Sequence, residues 1–341
     1  MKIGILTFHK TDNYGAMLQM YCLYSFLKIA GYDVQLIDHD LARNTHKECG
    51  PIWKKMKRFI VRTVTFLRRK KRKRVFEEFL DRFELTKSWN HFDLVVVGSD
   101  QVWNLRLTNK DLFFLGKGIS CKLVSYAASC GNVSSVSDDE RMLYQKYLPA
   151  FSAISVREES ALRFLNPILN CEVKKTLDPT LLVNREILEK IRINVKRPPK
   201  FILAYDCLSP SVNLFVKKIA RQLNAEIVYL SLSVKTCKKR YDYQAASVGE
   251  FLGYFAAAEC VVTTSFHGCA ISIAYQRNFY ALNFNSEMCS RSRELLESLG
   301  LERRFVDVDE DINYTPVDYT ESNRKLEILR EQSRAFLLGA I

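Results

Sequence analysis

The sequence predicts an α/β fold with two Rossmann-like domains that face a cleft, and three observations support this prediction. Short β-branched segments alternate with amphipathic helical segments from the first residues onward, which indicates β-α-β units with parallel strands. A second series of the same kind begins at Phe201. Residues 194–200 (NVKRPPK) lie between the two series and have the polar, proline-paired composition of a linker. The length of 341 residues fits about two domains.

The first β-α-β unit occupies the amino terminus. Lys2 to Phe8 is predicted as a strand, Ala16 to Ala30 as a helix that ends at a glycine, and Val34 to Asp38 as the next strand. The connecting loop, HKTDNYG, lies on the side of a parallel sheet where ligands bind, so Asn13 and Tyr14 are candidate binding residues. The loop has no G-x-G-x-x-G sequence, and a dinucleotide is therefore not predicted.

Two further strands of the first domain end in residues that could carry chemistry. A buried strand from Phe92 to Val97 is followed by Gly-Ser-Asp, which places Asp100 at the ligand edge of the sheet. Another strand ends at Arg157, where a helix begins. Arg157 is either a functional cation in the cleft or the partner of a neighbouring glutamate in an exposed ion pair, which would contribute only about 0–1 kcal/mol.

The second series contains the stretch most indicative of a ligand site. Its first elements are a strand over 201–207, a helix over 212–223, a strand over 226–232 and a helix over 248–258. A buried strand, Val261 to Thr264, then runs into Ser265, Phe266, His267 and Gly268, with a helix expected from Ala270. Unpaired N–H groups at such a junction favour an anion, which makes His267 a candidate anion ligand. The alternative is a helix-capping turn with an incidental histidine.

These elements divide the chain into three parts. An N-terminal domain is expected over residues 1–195 and a C-terminal domain over 196–319. Residues 320–341 are strongly helical and are expected to return to the first domain. Two Rossmann-like domains that face a cleft form the arrangement called GT-B, which is common among glycosyltransferases.

The composition excludes several classes of protein. Hydrophobic residues make up 48% of the chain, which excludes general disorder, and no apolar run is long enough to span a membrane. The ten cysteines form no CxxC pair or Cys/His cluster, so neither a disulfide framework nor a metal site is predicted. The apolar amino terminus lacks a signal-peptide cleavage site, and we therefore expect a cytoplasmic protein.

Most of the net charge of +13 comes from one segment. Residues 54–74 contain twelve lysines and arginines and no acidic residue, and they lie in an insertion over residues 42–91. Apolar side chains interleave with the charges, so an amphipathic helix that binds an anionic membrane surface is one interpretation. A solvated helical hairpin is the second. Nucleic-acid binding is the third, but the sequence contains no recognisable nucleic-acid-binding module, and no nucleic acid is expected as a partner.

Six motifs, in order, resemble the polysaccharide pyruvyl transferase family. They are TDNYGAMLQMYCLYSFLKIAGYDVQLID, DLVVVGSDQVWN, LVSYAASCG, ISVREESALRFL, LDPTLL and VVTTSFHGCAISIAYQRNFYAL. The resemblance runs from residue 3 to about residue 300. GSDQVWN and SFHG are specific motifs, whereas LDPTLL and ISVRE are individually weak.

The resemblance implies a transferase that uses phosphoenolpyruvate as its donor substrate and needs no cofactor or metal. The enolpyruvyl carbons would pass to two hydroxyls of a sugar, such as galactose, forming a cyclic ketal with loss of phosphate. The product would belong to a bacterial surface polysaccharide, for example a capsule. Such polysaccharides are assembled on polyprenyl diphosphate, so the acceptor is expected to be lipid-linked and the enzyme peripheral at the inner face of the plasma membrane.

The resemblance also assigns residues. His267 would bind the donor phosphate, with Ser265 and Gly268 beside it. The catalytic set would be His267, Arg157 and Asp100, and Arg157 would act electrostatically because its pKa is too high for a proton donor. Arg291 and Arg293 are candidates for the donor carboxylate, and Asn13, Tyr14 and Asn104 for the acceptor. Some relatives have Arg-Leu-His where this chain has Ser-Phe-His, so another cation must replace that arginine.

Two other functions compete with this interpretation. A nucleotide-sugar glycosyltransferase has the same two-domain shape, and Glu250 and Glu259 are the carboxylates available for a ribose. A catalytically inactive, membrane-associated scaffold of a polysaccharide assembly complex is the third possibility, although it would not need His267 and Arg157.

Overall fold

The computed structural model describes residues 1–39, 70–207, 209–230, 242–243, 245–284 and 286–341. The first part of the chain forms β1 (Lys2–Leu6), α1 (Tyr14–Ile29), β2 (Asp33–Ile37), α2 (residues 70–80), β3 (Leu85–Thr86), β4 (Leu94–Val97), β5 (Lys122–Ser125), α3 (Asp138–Tyr147), β6 (Ile154–Val156), α4 (Glu159–Leu165), β7 (Val173–Lys175), α5 (Pro179–Leu182) and α6 (Arg185–Glu189). The second part forms β8 (Phe201–Tyr205), α7 (Pro210–Leu223), β9 (Glu226–Leu230), β10 (Asp242–Tyr243), α8 (Val248–Ala257), β11 (Cys260–Thr263), α9 (Phe266–Ala274), β12 (Asn278–Asn283), α10 (Ser286–Leu299), β13 (Phe305–Asp307) and α11 (Thr320–Ala340).

Two parallel sheets confirm the predicted α/β fold. The first has the strand order β3-β2-β1-β4-β5, and β6 continues it through isolated bridges such as Ala128 to Val156. The second has the order β10-β9-β8-β11-β12-β13. In each sheet the chain reverses its direction of winding at one point, between β1 and β4 in the first and between β8 and β11 in the second. Ligands of open α/β sheets bind at such points, beyond the carboxyl ends of the strands.

The first residues of three helices are defined by the structure, and in two of these helices a side chain caps the free N–H groups. α3 begins at Asp138 because Ser137 and Glu140 form a reciprocal capping box. α1 begins at Tyr14, because the Asn13 side chain accepts hydrogen bonds from the first free N–H groups. α9 begins at Phe266 rather than Ala270, so His267 lies in the first turn of the helix.

The final helix returns to the first domain, as predicted. The Ser333 hydroxyl of α11 accepts a hydrogen bond from Leu177 N at 2.9 Å, and Arg330 Nε donates to Leu181 O at 2.9 Å. Aromatic packing also joins the domains, since the Tyr14 ring stacks on Phe251 of α8 at 4.4 Å. Helices of both domains therefore pack together, and α5 contacts each of α1, α9 and α11.

Most of the basic segment 54–74 lies outside the described residues, which resume at Lys70. Within α2, Arg72 is buried, with its Nη2 2.5 Å from Asp12 O and its guanidinium carbon 5.2 Å from the centre of the Tyr14 ring. Arg72 is therefore part of the packed fold and not part of a solvated or membrane-facing surface. Lys70, Lys71, Lys73 and Arg74 are exposed. No helix in the described part of the chain is long and apolar enough to cross a membrane.

Candidate functional site

A buried group of charged side chains lies where the two sheets face each other. The N-terminal sheet contributes Asp100 after β4, Arg157 and Glu158 after β6, and Asp178 at the start of α5. The C-terminal domain contributes His267 from α9 and Arg291 from α10. We call these six residues the charged cluster. It lies beyond the carboxyl ends of parallel strands, where an open α/β fold places its ligand.

Arg157 is the centre of the charged cluster. Its Nη1 lies 2.9 Å from Asp178 Oδ2, its Nη2 lies 3.3 Å from Asp100 Oδ1, and its Nε lies 3.5 Å from Glu158 Oε2. The side chain is only 1% exposed. Burial by itself would lower the pKa of Arg157, but the carboxylates of Asp100, Asp178 and Glu158 raise it overall. The alternative of an ion pair with a neighbouring glutamate is therefore right about Glu158 as a partner but wrong about exposure, because three carboxylates surround an almost fully buried guanidinium.

Asp178 joins the two domains. One carboxylate oxygen caps α5 by accepting hydrogen bonds from the Thr180 backbone N at 3.0 Å and hydroxyl at 2.7 Å. The other oxygen accepts from Arg157 and lies 3.7 Å from His267 Nε2. Burial would raise the pKa of Asp178, yet the interaction with His267, together with the charge of Arg157, holds that pKa well below its usual range. Asp178 is therefore a buried anion that contacts a basic side chain from each domain.

Sequence reasoning did not select Asp178 as a site residue. The LDPTLL motif that contains it is explained by helix capping alone, since Asp at the cap followed by Pro is a common helix start. The second oxygen of the same carboxylate gives Asp178 a role beyond capping, because it accepts a hydrogen bond from Arg157, 21 residues earlier in the chain. Only its place in a family motif indicated a further role.

His267 lies at the helix terminus that the sequence singled out. Its side chain is 9% exposed, and its Nε2 has no hydrogen-bond partner among the described residues. The Ser265 side chain does not cap α9, and the N–H groups of Phe266, His267 and Gly268 have no partner within the described part of the chain. A helix N-terminus with unpaired N–H groups attracts an anion, and the imidazole lies beside them.

Two glycines allow close packing around His267, one of them between the domains and the other within the C-terminal domain. A Cβ on Gly15 would lie 2.1 Å from His267 Nδ1, so only glycine lets α1 pack directly against the imidazole. A Cβ on Gly268 would lie 2.2 Å from Thr263 Oγ1, so Gly268 lets the first turn of α9 rest on the end of β11. Gly268 thus has a packing role in addition to its free N–H group.

Glu158 and Arg291 complete the charged cluster, and their pKa values are shifted in opposite directions. Glu158 is 2% exposed, and neither carboxylate oxygen has a hydrogen-bond partner among the described residues. Burial raises the pKa of Glu158, although Arg157 and Arg291 act against this. Burial, followed by repulsion from Arg157, lowers the pKa of Arg291. Arg291 forms no ion pair within 4.0 Å in the described part of the chain, so its charge is the least neutralised in the cluster.

Phe266 holds the cluster together from one side. Its ring centre lies 4.6 Å from the guanidinium carbon of Arg157, a cation–π contact between the domains. Two positions after Arg157, a backbone hydrogen bond also joins the two domains, because Glu159 N donates to Glu294 Oε2 at 2.7 Å. The cluster is therefore held from both domains at once.

Four sequence candidates do not reach the cluster with a free polar group. The Tyr14 hydroxyl is buried and donates to Ala246 O at 2.7 Å, and the Asn13 side chain caps α1. The Asn104 amide donates to Gln101 Oε1 at 2.9 Å and accepts from Leu107 N at 3.2 Å. The Arg293 guanidinium lies over the Phe305 ring at 4.8 Å. The structure brings together His267, Arg157, Asp100 and Arg291, with Ser265 and Gly268 at the helix terminus.

The arrangement offers ligands to a small anion. Cations from both domains and free backbone N–H groups point to one place, and Asp100 lies at its edge with 10% of its side chain exposed. Among the described residues, no three histidine, cysteine, aspartate or glutamate side chains are placed so that together they could hold a metal ion.

Comparisons with known proteins identify a family for this chain. A family model described as polysaccharide pyruvyl transferase matches residues 13–286. No curated protein matches the chain.

Solved structures with a related overall shape are distant. A putative UDP-N-acetylglucosamine 2-epimerase from Listeria monocytogenes is 12% identical, with a TM-score of 0.47 over 98% of this chain and 87% of that one. The UDP-GlcNAc 2-epimerase from Methanocaldococcus jannaschii is 13% identical, with a TM-score of 0.47 over 97% and 93%. Arabidopsis thaliana UGT89C1, complexed with quercetin, is 12% identical, with a TM-score of 0.43 over 98% and 90%. These values carry no argument about activity.

Proposed function

Because the chain belongs to the polysaccharide pyruvyl transferase family, we propose that it transfers the enolpyruvyl carbons of phosphoenolpyruvate to two hydroxyls of a sugar. Carbon 3 of the donor gains a proton, which gives carbon 2 oxocarbenium character. One hydroxyl adds to carbon 2, phosphate leaves, and the second hydroxyl closes the cyclic ketal. The acceptor is a hexose such as galactose. The observation that supports this proposal is the convergence of His267, Arg157 and Arg291 on one buried place between the domains.

In this proposal, each of four side chains of the charged cluster has a specific role in binding or catalysis. His267 and the free N–H groups of α9 bind the donor phosphate, and Arg291, whose charge is the least neutralised in the cluster, binds the donor carboxylate. Arg157 is held by three carboxylates and supplies a fixed positive charge to the developing negative charge of the leaving phosphate. Asp100 lies at the rim on the N-terminal side and accepts a hydrogen bond from an acceptor hydroxyl.

The direct test gives the purified protein phosphoenolpyruvate or a panel of nucleotide sugars, each with synthetic galactosides. We expect phosphate release and a ketal with phosphoenolpyruvate alone, and equal turnover in EDTA, because the donor carries its own leaving group. Nucleotide release that depends on Mg²⁺ or Mn²⁺ would replace this proposal with a glycosyltransferase. Binding of a lipid-linked acceptor without turnover of any donor would indicate a scaffold.

The pKa of Glu158 leads to a pH-dependent affinity for the donor. Since that pKa is raised, Glu158 keeps its proton to higher pH than an ordinary glutamate. As the pH rises through the raised pKa, a negative charge appears beside Arg157 and Arg291, and it opposes binding of an anionic donor. We therefore expect the KM for phosphoenolpyruvate to increase as the pH rises through this pKa. The substitution Glu158→Gln mimics the protonated form and should remove this rise.

Glu159→Gln is the matched control for that experiment. Glu159 pairs with Lys175 at 3.2 Å, and although burial acts in the opposite direction, the interaction with Lys175 lowers its pKa. Its charge therefore does not change over the same pH range. The same pH profile in wild type and in Glu158→Gln would contradict the role given to Glu158.

We further propose that the basic segment 54–74 holds the enzyme on the anionic inner face of the plasma membrane. The lipid-linked acceptor lies in the same surface, so attachment raises the effective concentration of enzyme and acceptor for each other. Each lysine or arginine near anionic lipid contributes about 1 kcal/mol. The exposed cations of α2 support this proposal, whereas Arg72 does not contribute to it, because it is buried against Tyr14.

Replacing Lys70, Lys71, Lys73 and Arg74 with glutamine should weaken binding to phosphatidylserine vesicles on the order of 10²- to 10³-fold, measured by co-sedimentation. High salt should also release the wild type, because it shortens the screening length. Turnover of a water-soluble acceptor should survive. Arg72→Gln is the control, which should lower stability but keep vesicle binding in the folded fraction. If the fourfold variant still binds vesicles, α2 is only a solvated helix.

A further inference from the structure

A row of polar and aromatic residues lies along the edge of the N-terminal sheet that carries Asp100. His9 follows β1, Asp38 and His39 follow β2, and Trp89 follows β3. The strands β3, β2, β1 and β4 are consecutive neighbours, so these residues form a line toward the charged cluster. None of them has a task in the donor site described above.

The best-defined part of this row is the pair of His39 and Asp111. His39 Nε2 lies 2.6 Å from Asp111 Oδ2, and the imidazole packs on the Phe113 ring at 4.4 Å. Trp89 contacts the same phenylalanine edge-on at 4.8 Å. We call these four residues the His39 cluster. The side chains of His39 and Asp111 are 24% and 21% exposed, so the pair is oriented by packing and still reachable from solvent.

The His39 cluster has the chemistry of a sugar-binding surface. Its carboxylate accepts hydrogen bonds from hydroxyls, and the Nδ1 atom of His39 has no hydrogen-bond partner in the described part of the chain. The aromatic rings offer an apolar surface for the C–H face of a pyranose. A few oriented polar groups on an aromatic base are typical of sites for small polar ligands.

The position of the cluster relative to Asp100 decides which sugar it can bind. β2 and β4 are separated by β1, and neighbouring strands are about 4.8 Å apart, so His39 lies roughly 10 Å from the end of β4. The sugar that receives the ketal must lie at the charged cluster. A second sugar residue, attached to the first, would bridge the remaining distance along the sheet edge.

The geometry points to the His39 cluster as the binding site for the second sugar residue of the acceptor, an inference that rests on the proposed function. It explains how an acceptor is recognised although the polar groups of Tyr14 and Asn104 are already bonded within the protein. The enzyme should therefore favour a disaccharide or a longer glycan over a monosaccharide, because only the longer acceptor reaches His39 and Asp111.

Calorimetric binding of defined saccharides tests this inference without turnover. The probes are methyl β-galactoside with p-nitrophenyl β-lactoside, and methyl β-glucoside with p-nitrophenyl β-cellobioside. We expect the wild type to bind one of the two disaccharides at least about tenfold more tightly than its monosaccharide. His39→Ala and Asp111→Asn should each remove most of that advantage and change the monosaccharide Kd less than about twofold.

His91→Ala is the matched control. His91 precedes β4, at the opposite edge of the same sheet, and its Nε2 lies 3.2 Å from Gln35 Oε1. This variant should bind both members of each pair like the wild type. Asparagine at position 111 can still cap the turn that follows, so loss of folding is not expected from that change.

The outcomes separate this inference from the proposed function. Equal losses for monosaccharide and disaccharide, or a wild type that does not prefer any disaccharide, would overturn the His39 cluster as a second-sugar site. A selective loss of disaccharide affinity supports it. If that selective loss occurs but phosphoenolpyruvate gives no ketal, the proposed reaction fails while the sugar-binding site stands.

Discussion

Replacing His267 with alanine is expected to lower turnover with phosphoenolpyruvate at least about 100-fold, the low end of general acid–base effects. The imidazole Nε2 is buried and lacks a hydrogen-bond partner among the described residues, and it stands beside the free N–H groups of α9. Loss of the imidazole removes a ligand of the donor phosphate and the side chain that lies 3.7 Å from Asp178 Oδ2. Steady-state kinetics with phosphate detection would measure the change.

Two further variants keep this prediction interpretable. Alanine leaves a gap where Gly15 packs on the imidazole, so His267→Gln, which fills more of the space, should be equally inactive if the chemistry matters. Ser272→Ala removes a buried hydroxyl from the same helix, one that donates to Gly268 O at 2.7 Å, and should keep near-normal turnover. Wild-type turnover in a folded His267→Ala protein would show that the imidazole is not needed.

Arg157→Ala is expected to abolish activity and to lower the free energy of unfolding by about 3–5 kcal/mol, the usual cost of breaking a buried ion pair. Asp100, Asp178 and Glu158 would be left close together without the guanidinium between them. Arg157→Lys restores one charge but cannot reach three carboxylates with a planar fork, so turnover should stay at least about tenfold low while stability partly recovers. Urea unfolding and kcat are the two measurements.

A charge-balanced double variant separates stability from catalysis. Arg157→Met combined with Asp178→Asn removes one cation and one anion, and asparagine can still cap α5. This protein should be more stable than Arg157→Ala and still inactive. Full activity of Arg157→Lys would mean that a diffuse positive field is sufficient, and activity of the double variant would remove Arg157 from the mechanism.

Local patterns predicted the elements of the fold because they depend on neighbours in the chain. The alternation of β-branched strands with helices predicted parallel sheets. Polar residues or a glycine after a strand predicted the loops at the ligand-binding edge of each sheet. For the same reason His267 and Arg157 were found correctly at strand ends. The capping box of Ser137 and Glu140 at the start of α3 is a local signal of the same kind.

The surroundings of some residues depend on contacts that form only when distant parts of the chain pack together. Tyr14 opens a helix at the ligand side of the sheet, a position that suggests a binding residue, yet the C-terminal domain covers it with Phe251. Arg72 stands in an unbroken run of cations, yet Asp12 and the Tyr14 ring bury it. In both cases the partner comes from a distant part of the chain, and no local pattern reports it.

The sequence alone determined the fold class, the family and the strand-to-helix junction that holds His267, because hydrophobic periodicity, glycine punctuation and ordered motifs are properties of short segments. The tertiary structure alone decided that Arg157 is a buried cation and not a surface ion pair. Its partners Asp100 and Asp178 lie 57 and 21 residues away, and only packing of parallel strand ends brings such distant charges within hydrogen-bonding distance and away from water.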